Sequence, residues 1–105
     1  MKKKLKGTLG RPRLYVFKSN KHIYAQIIND NPSKILITKS SLSPEIRKQL
    51  ATSANIEISK VIGQYIAQAC ISQNITKVVF DRGNKKYHGK IKALADAVRK
   101  EGIKF

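Results

Sequence analysis

Two short runs decide the fold: Arg13-Leu14-Tyr15-Val16-Phe17-Lys18 and His22-Ile23-Tyr24-Ala25-Gln26-Ile27-Ile28. Both alternate aliphatic residues with polar or aromatic ones, the period-2 pattern of strands that bury one face. Lys18-Ser19-Asn20-Lys21 between them is short enough for a tight hairpin. With Lys18 opposite Lys21, Phe17 pairs with His22, Val16 with Ile23, Tyr15 with Tyr24, Leu14 with Ala25 and Arg13 with Gln26. One face is then Leu14, Val16, Ile23, Ala25 and Ile27, wholly apolar. The other is Arg13, Tyr15, Phe17, His22, Tyr24 and Gln26. A slip of one residue would mix the two sets, so the pattern specifies which side meets the core.

Working outward, Asp30-Asn31-Pro32-Ser33 has turn chemistry, and Ile35-Leu36-Ile37-Thr38 reads as a third strand. The period then becomes helical. Ser43 is an N-cap with Pro44 at the first helical position, opening a short helix that ends near Leu50. A longer helix is predicted from about Ile56 to Gln73, with Ile58, Val61, Ile62, Tyr65, Ile66 and Ala69 on its apolar stripe, Asn55 as N-cap and Asn74 as the left-handed residue beyond its end. Lys77 to Asp81 reads as a short buried strand, Arg82 to Gly89 as a basic loop, and Lys90 to Lys100 as a last helix with Ile91, Leu94, Ala95 and Val98 on one side. The order is β-β-β-α-α-β-α. A strand-helix-strand crossover makes the fourth strand parallel to a neighbour. The expected class is α/β: a two-layer mixed sheet, three antiparallel strands plus one parallel strand, with helices on one face. Residues 1–12, with four lysines, Gly7, Gly10 and Pro12, read as a flexible basic arm, and residues 13–105 as one domain.

The chain has 105 residues, 22 Lys+Arg against 6 Asp+Glu, and a formal net charge of +16. Residues 1–21 and 77–92 together carry 13 of those 16 charges, so the cations are concentrated in two segments far apart in sequence. Such a surplus calls for a polyanion, and nucleic acid is the first candidate. No run of about 18 apolar residues is long enough to cross a membrane. The basic start is not followed by the apolar stretch of a secretory signal. A single cysteine, Cys70, leaves no disulfide framework and fits a reducing compartment.

Rings interleaved with cations on an open sheet face suit RNA, because rings stack on bases while cations neutralise phosphates. Catalytic readings fare poorly. Of the six acids, only Asp81 ends a strand where an α/β site would lie, and a metal nuclease needs a cluster of carboxylates. Cys70 lies on a predicted helix near its apolar stripe, as a structural thiol does. Neither His22 nor His88 has a partner at zinc-site spacing, and no cofactor motif is present. Asp81 is better read as an organiser that caps its loop or fixes Arg82 or Arg13 in one pose. Gly89 permits a close backbone approach at the start of the last helix.

The run from Arg11 to Ile28, together with Val79-Phe80-Asp81-Arg82-Gly83, Tyr87-His88-Gly89-Lys90, Ala93-Leu94-Ala95-Asp96-Ala97 and Gly102-Ile103-Lys104-Phe105, resembles ribosomal protein eighteen of the large subunit in its bacterial and plastid form. The likeness extends from about residue 7 to the end. It implies a structural ribosomal protein without catalysis or cofactor, bound to 5S rRNA and helping to seat it on 23S rRNA in the central protuberance, beside ribosomal protein five of the large subunit. It implies neither a membrane nor a small-molecule substrate as partner. The family's RNA contacts fall here on Lys2, Lys3, Lys4, Lys6, Arg11, Arg13 and Tyr15, on Lys18, Ser19, Asn20, Lys21 and His22, on Tyr24 and Gln26, and on Asp81, Arg82, Lys85, Lys86, Tyr87, His88, Gly89 and Lys90. Many members begin with a longer arginine-rich arm, whereas this one is short and built on lysine, which makes point-charge contacts and so contributes affinity more than specificity. Seventeen Lys against five Arg, with abundant Ile and Asn, is the composition of an AT-rich genome; a plastid source is favoured, and a bacterial cytoplasm fits as well. Two other readings of the charge are an RNA-processing nuclease and a binder of other polyanions driven by charge alone.

Overall fold

β1 (Arg13–Ser19) and β2 (His22–Asp30) form an antiparallel pair at the centre of a four-stranded sheet ordered β3-β2-β1-β4. In the computed structural model, which describes residues 7, 8, 10–19, 22–30, 32–47, 56–81 and 89–105, β3 (Ser33–Ser40) lies antiparallel to β2. β4 (Val79–Asp81) lies parallel to β1. The helices are α1 (Pro44–Arg47), α2 (Ile56–Ser72) and α3 (Gly89–Lys100). This is the expected mixed α/β arrangement. The predicted N-cap Asn55 and the predicted extension of the first helix to Leu50 lie outside the described residues.

Leu14, Val16, Ile23, Ala25 and Ile27 are buried, as the alternation requires. They share one hydrophobic core with Ile58, Ile62 and Ile66 of α2, one residue per helical turn, and with Ile91, Leu94 and Val98 of α3. Arg13, Tyr15, Phe17, His22, Tyr24 and Gln26 are all half-buried on the opposite side. α2 and α3 pack very closely: a Cβ on Gly63 would stand 2.6 Å from the Leu94 carbonyl oxygen and 2.8 Å from the Ala97 Cβ, so only glycine fits there. Asn74 takes up φ 63° just beyond α2, the left-handed residue predicted for it.

Two expectations need correction. The strand pairing is Ser19 with His22, Phe17 with Tyr24, Tyr15 with Gln26 and Arg13 with Ile28, not the set that follows from placing Lys18 opposite Lys21. Each strand pairs one residue farther along than expected, so the two residues joining the strands are Asn20-Lys21. Such a change keeps every side chain on its own side of the sheet, and alternation cannot detect it. The second correction concerns β4. It begins at Val79 rather than Lys77, and its three residues are half-buried, because it is an edge strand with β1 as its neighbour in the sheet. Val78 is buried, and Lys77 instead forms a parallel bridge with Lys104. The Val78 N–H donates to the Lys104 carbonyl at 3.0 Å, and the Lys104 N–H to the Thr76 carbonyl at 2.9 Å.

Candidate nucleic-acid interface

Alternation on β1 places Arg13, Tyr15 and Phe17 in a row, and the pairing of Phe17 with Tyr24 brings a third ring alongside. The Tyr15 and Phe17 ring centroids are 5.2 Å apart with planes 25° from parallel; those of Phe17 and Tyr24 are 4.9 Å apart and 6° from parallel. Nearly parallel rings at such spacings overlap face on face, since coplanar neighbours would need a wider separation. The Arg13 guanidinium carbon lies 5.5 Å from the Tyr15 ring centre, a cation–π distance. The result is a continuous series, guanidinium then three stacked rings. Phe17 is engaged by a ring neighbour on β1 and another on β2, so Tyr24, at the end of the series, is better placed to take a base.

Arg13 is held by two carboxylates. Its Nε donates to Asp30 Oδ2 at 3.0 Å and its Nη2 to Asp30 Oδ1 at 3.1 Å, while Nη1 donates to Asp81 Oδ2 at 2.8 Å. The three side chains are only 19–21% exposed. The hydrogen bond to Asp30 is the foremost cause holding the Arg13 pKa above the ordinary arginine range; burial opposes it, and the bond to Asp81 adds to it. One guanidinium between two carboxylates leaves a local net charge of −1, so this pocket is an ordering device more than a phosphate site. Arg11 differs: it is exposed, on a turn where its N–H donates to the Thr8 carbonyl at 3.2 Å and the Thr8 N–H to the Arg11 carbonyl at 3.0 Å.

The reading of Asp81 as a residue that fixes Arg13 matches this geometry. Asp30, which the sequence presents as a turn residue, is the organiser that reasoning from sequence missed. The register was the signal. With Arg13 opposite Gln26, Asp30 is four residues away and out of reach; with Arg13 opposite Ile28, it is the diagonal neighbour on the same side. His22 Nδ1 is 2.9 Å from the Ser41 Oγ, which also accepts the Ile23 N–H at 3.2 Å, so the imidazole is oriented at the other end of the open side. Gln26 lies between Tyr15 on β1 and Thr38 on β3. Lys18 and Ser19 belong to β1, paired with Ile23 and His22. Gly89 opens α3 at φ 58°, with open space where a Cβ would be, and Lys90 follows it into the helix. Lys2, Lys3, Lys4, Lys6, Asn20, Lys21, Arg82, Lys85, Lys86, Tyr87 and His88 lie outside the described residues.

Cys70 is buried on α2, and burial pushes its thiol up to about 11, as for a structural side chain. Among the described residues no group of three or more His, Cys, Asp or Glu side chains could hold a metal ion, and no helix is long and apolar enough to cross a membrane.

A strongly cationic chain that sets stacked rings beside a carboxylate-held guanidinium on the open side of a two-layer α/β fold is of the class of small basic proteins suited to polyanions. The family described as ribosomal L18 of archaea, bacteria, mitochondria and chloroplast matches residues 1–105, and the chain belongs to it. It is 52% identical over 105 residues to a protein of Thermotoga neapolitana named large ribosomal subunit protein uL18, covering all of this chain and 86% of that one. It is 50% identical over 107 residues to the rice protein named uL18c, covering all of this chain and 63% of the other, and 47% identical over 102 residues to the uL18c of Guillardia theta, covering 97% and 95%. Bacterial and plastid relatives thus both occur. The family is one of structural ribosomal proteins, not enzymes.

Proposed function

We propose that the chain is a constituent of the large ribosomal subunit that binds 5S rRNA and helps attach it to 23S rRNA in the central protuberance, beside ribosomal protein five of the large subunit. Relatives named for the large subunit support the assignment to it. The observation that carries the RNA-binding reading is the stacked series Tyr15, Phe17 and Tyr24 beside Arg13, which Asp30 and Asp81 hold in a single pose. Rings offer sequence-tolerant stacking, and an ordered polar surround selects the RNA that fits it. Residues 1–12 serve as a basic arm, docked on the sheet at Gly7 and Pro12, and residues 13–105 as the folded domain. Lys2, Lys3, Lys4 and Lys6 of the arm, with Arg82, Lys85, Lys86 and Lys90 after β4, neutralise phosphates; the hairpin from Lys18 to His22, with Gln26 and the segment Tyr87-His88-Gly89, completes the contact surface.

The test is binding of the purified chain to 5S rRNA and, in parallel, to transfer RNA of similar charge, across a salt series. The expected result is a preference for 5S rRNA of about tenfold or more that persists as salt rises, since base and stacking contacts are less salt-sensitive than phosphate contacts. Equal affinities at every salt concentration would overturn the assignment.

A further inference from the structure

An acid costs affinity in a protein that binds a polyanion, yet Asp30 makes some of the most directed bonds on the open side. Its N–H donates to the Gly7 carbonyl at 2.9 Å, and its Oδ2 accepts the Gly7 N–H at 2.7 Å as well as the Arg13 Nε at 3.0 Å. Both backbone polar groups of Gly7 are therefore held by one residue. The fit is close: a Cβ on Gly7 would lie 2.3 Å from the Arg13 nitrogen and 2.6 Å from the Ile28 carbonyl oxygen. Lys6 is covalently joined to Gly7, so the point to which the segment holding Lys2, Lys3, Lys4 and Lys6 is attached is set here. Arg13 extends the chain of bonds to Asp81, the last residue of β4, which the basic segment 82–90 follows in sequence. Through Asp30, one guanidinium thus links Gly7, which follows Lys2, Lys3, Lys4 and Lys6 in sequence, with Asp81, which precedes Arg82, Lys85, Lys86 and Lys90.

We infer that Asp30 is a positioning residue: through Gly7 and Arg13 it ties the root of the lysine arm to the open face and to the loop after β4, so that both basic segments engage one RNA in a fixed relation. This rests on the RNA-binding reading above and goes beyond it by making a negative charge a requirement for selective binding. Charge alone predicts the opposite, because Asp30→Asn raises the net charge and should tighten binding to every RNA.

A mutant cycle on the full chain separates these outcomes. Asp30→Asn is made alone and together with Gln at Lys2, Lys3, Lys4 and Lys6, and the affinity for 5S rRNA is divided by that for transfer RNA at fixed salt. In the native-arm background Asp30→Asn should lower this ratio by about tenfold, and in the neutralised-arm background by clearly less, because coupled groups are non-additive. A ratio unchanged by Asp30→Asn, or lowered equally in both backgrounds, would overturn the inference; an equal fall is what a merely structural role produces. Thermal unfolding establishes that each variant is folded. Should Asp30→Asn fail to fold, Gly7→Ala, which displaces the same root without altering charge, is read in the same cycle. A native chain with no preference for 5S rRNA would sink the proposed function, and the coupling would then be judged from the same cycle on total RNA affinity.

Discussion

The two sides of one pair of strands make unlike use of neighbouring residues. Leu14, Val16, Ile23, Ala25 and Ile27 are buried against α2 and α3, whereas Arg13, Tyr15, Phe17 and Tyr24 stand on the other side, joined by ring stacking and charged hydrogen bonds. On the inner side specificity is low and the energy large, because apolar burial is non-directional. On the outer side each contact has a direction, and the summed stabilisation is modest because the charged groups give up part of their hydration to make it. The lesson is that stability and recognition can be altered separately by substitutions one residue apart.

The largest expected effect is on the inner side. Leu14→Ala should lower stability by about 2–5 kcal/mol in urea unfolding, with the RNA affinity of the folded fraction unchanged. A parallel loss of affinity in folded molecules would show that the two sides are not separable. Tyr24→Ala should do the reverse, costing about 1–3 kcal/mol of RNA affinity in equilibrium binding while the fold persists. Because it removes no charge, the slope of affinity against salt should stay the same. The smallest effect is expected from Arg13→Lys, which conserves charge. A single ammonium cannot serve two carboxylates with the planar fork of the guanidinium, so stability should fall by about 1 kcal/mol. Unchanged stability would mean that a point charge suffices between Asp30 and Asp81, and the outer side would then be less directional than described.

Much of this contrast was legible in the residues themselves. The alternation at Arg13–Lys18 and His22–Ile28 separates the two sides, and the change of period at Ser43 marks where strands give way to helices. The pairing was not legible, since a register in which both strands move on by one residue keeps the same sides and is specified by the turn. Asn20, favoured over Ser19 in two-residue hairpin loops, was the available hint. The role of Asp30 depended on that register and was lost with it. Asp81 was recognisable as an organiser, but its bond to Arg13 depends on β4 lying next to β1, and the crossover rule sets the direction of a strand without naming its neighbour.

β3 carries an irregularity whose value lies outside the RNA complex. Ile27 pairs with Ile37 and Ile28 with Ile35, so Leu36 is an extra residue on the edge strand. An uninterrupted edge of this length, with Ile35 exposed, is a template for another copy of the chain. The added residue breaks the even spacing of the outward N–H and C=O groups, and the exposed Lys34 beside it places a charge where a second strand would dock. The irregularity therefore makes this edge a poor template for a second copy of the chain.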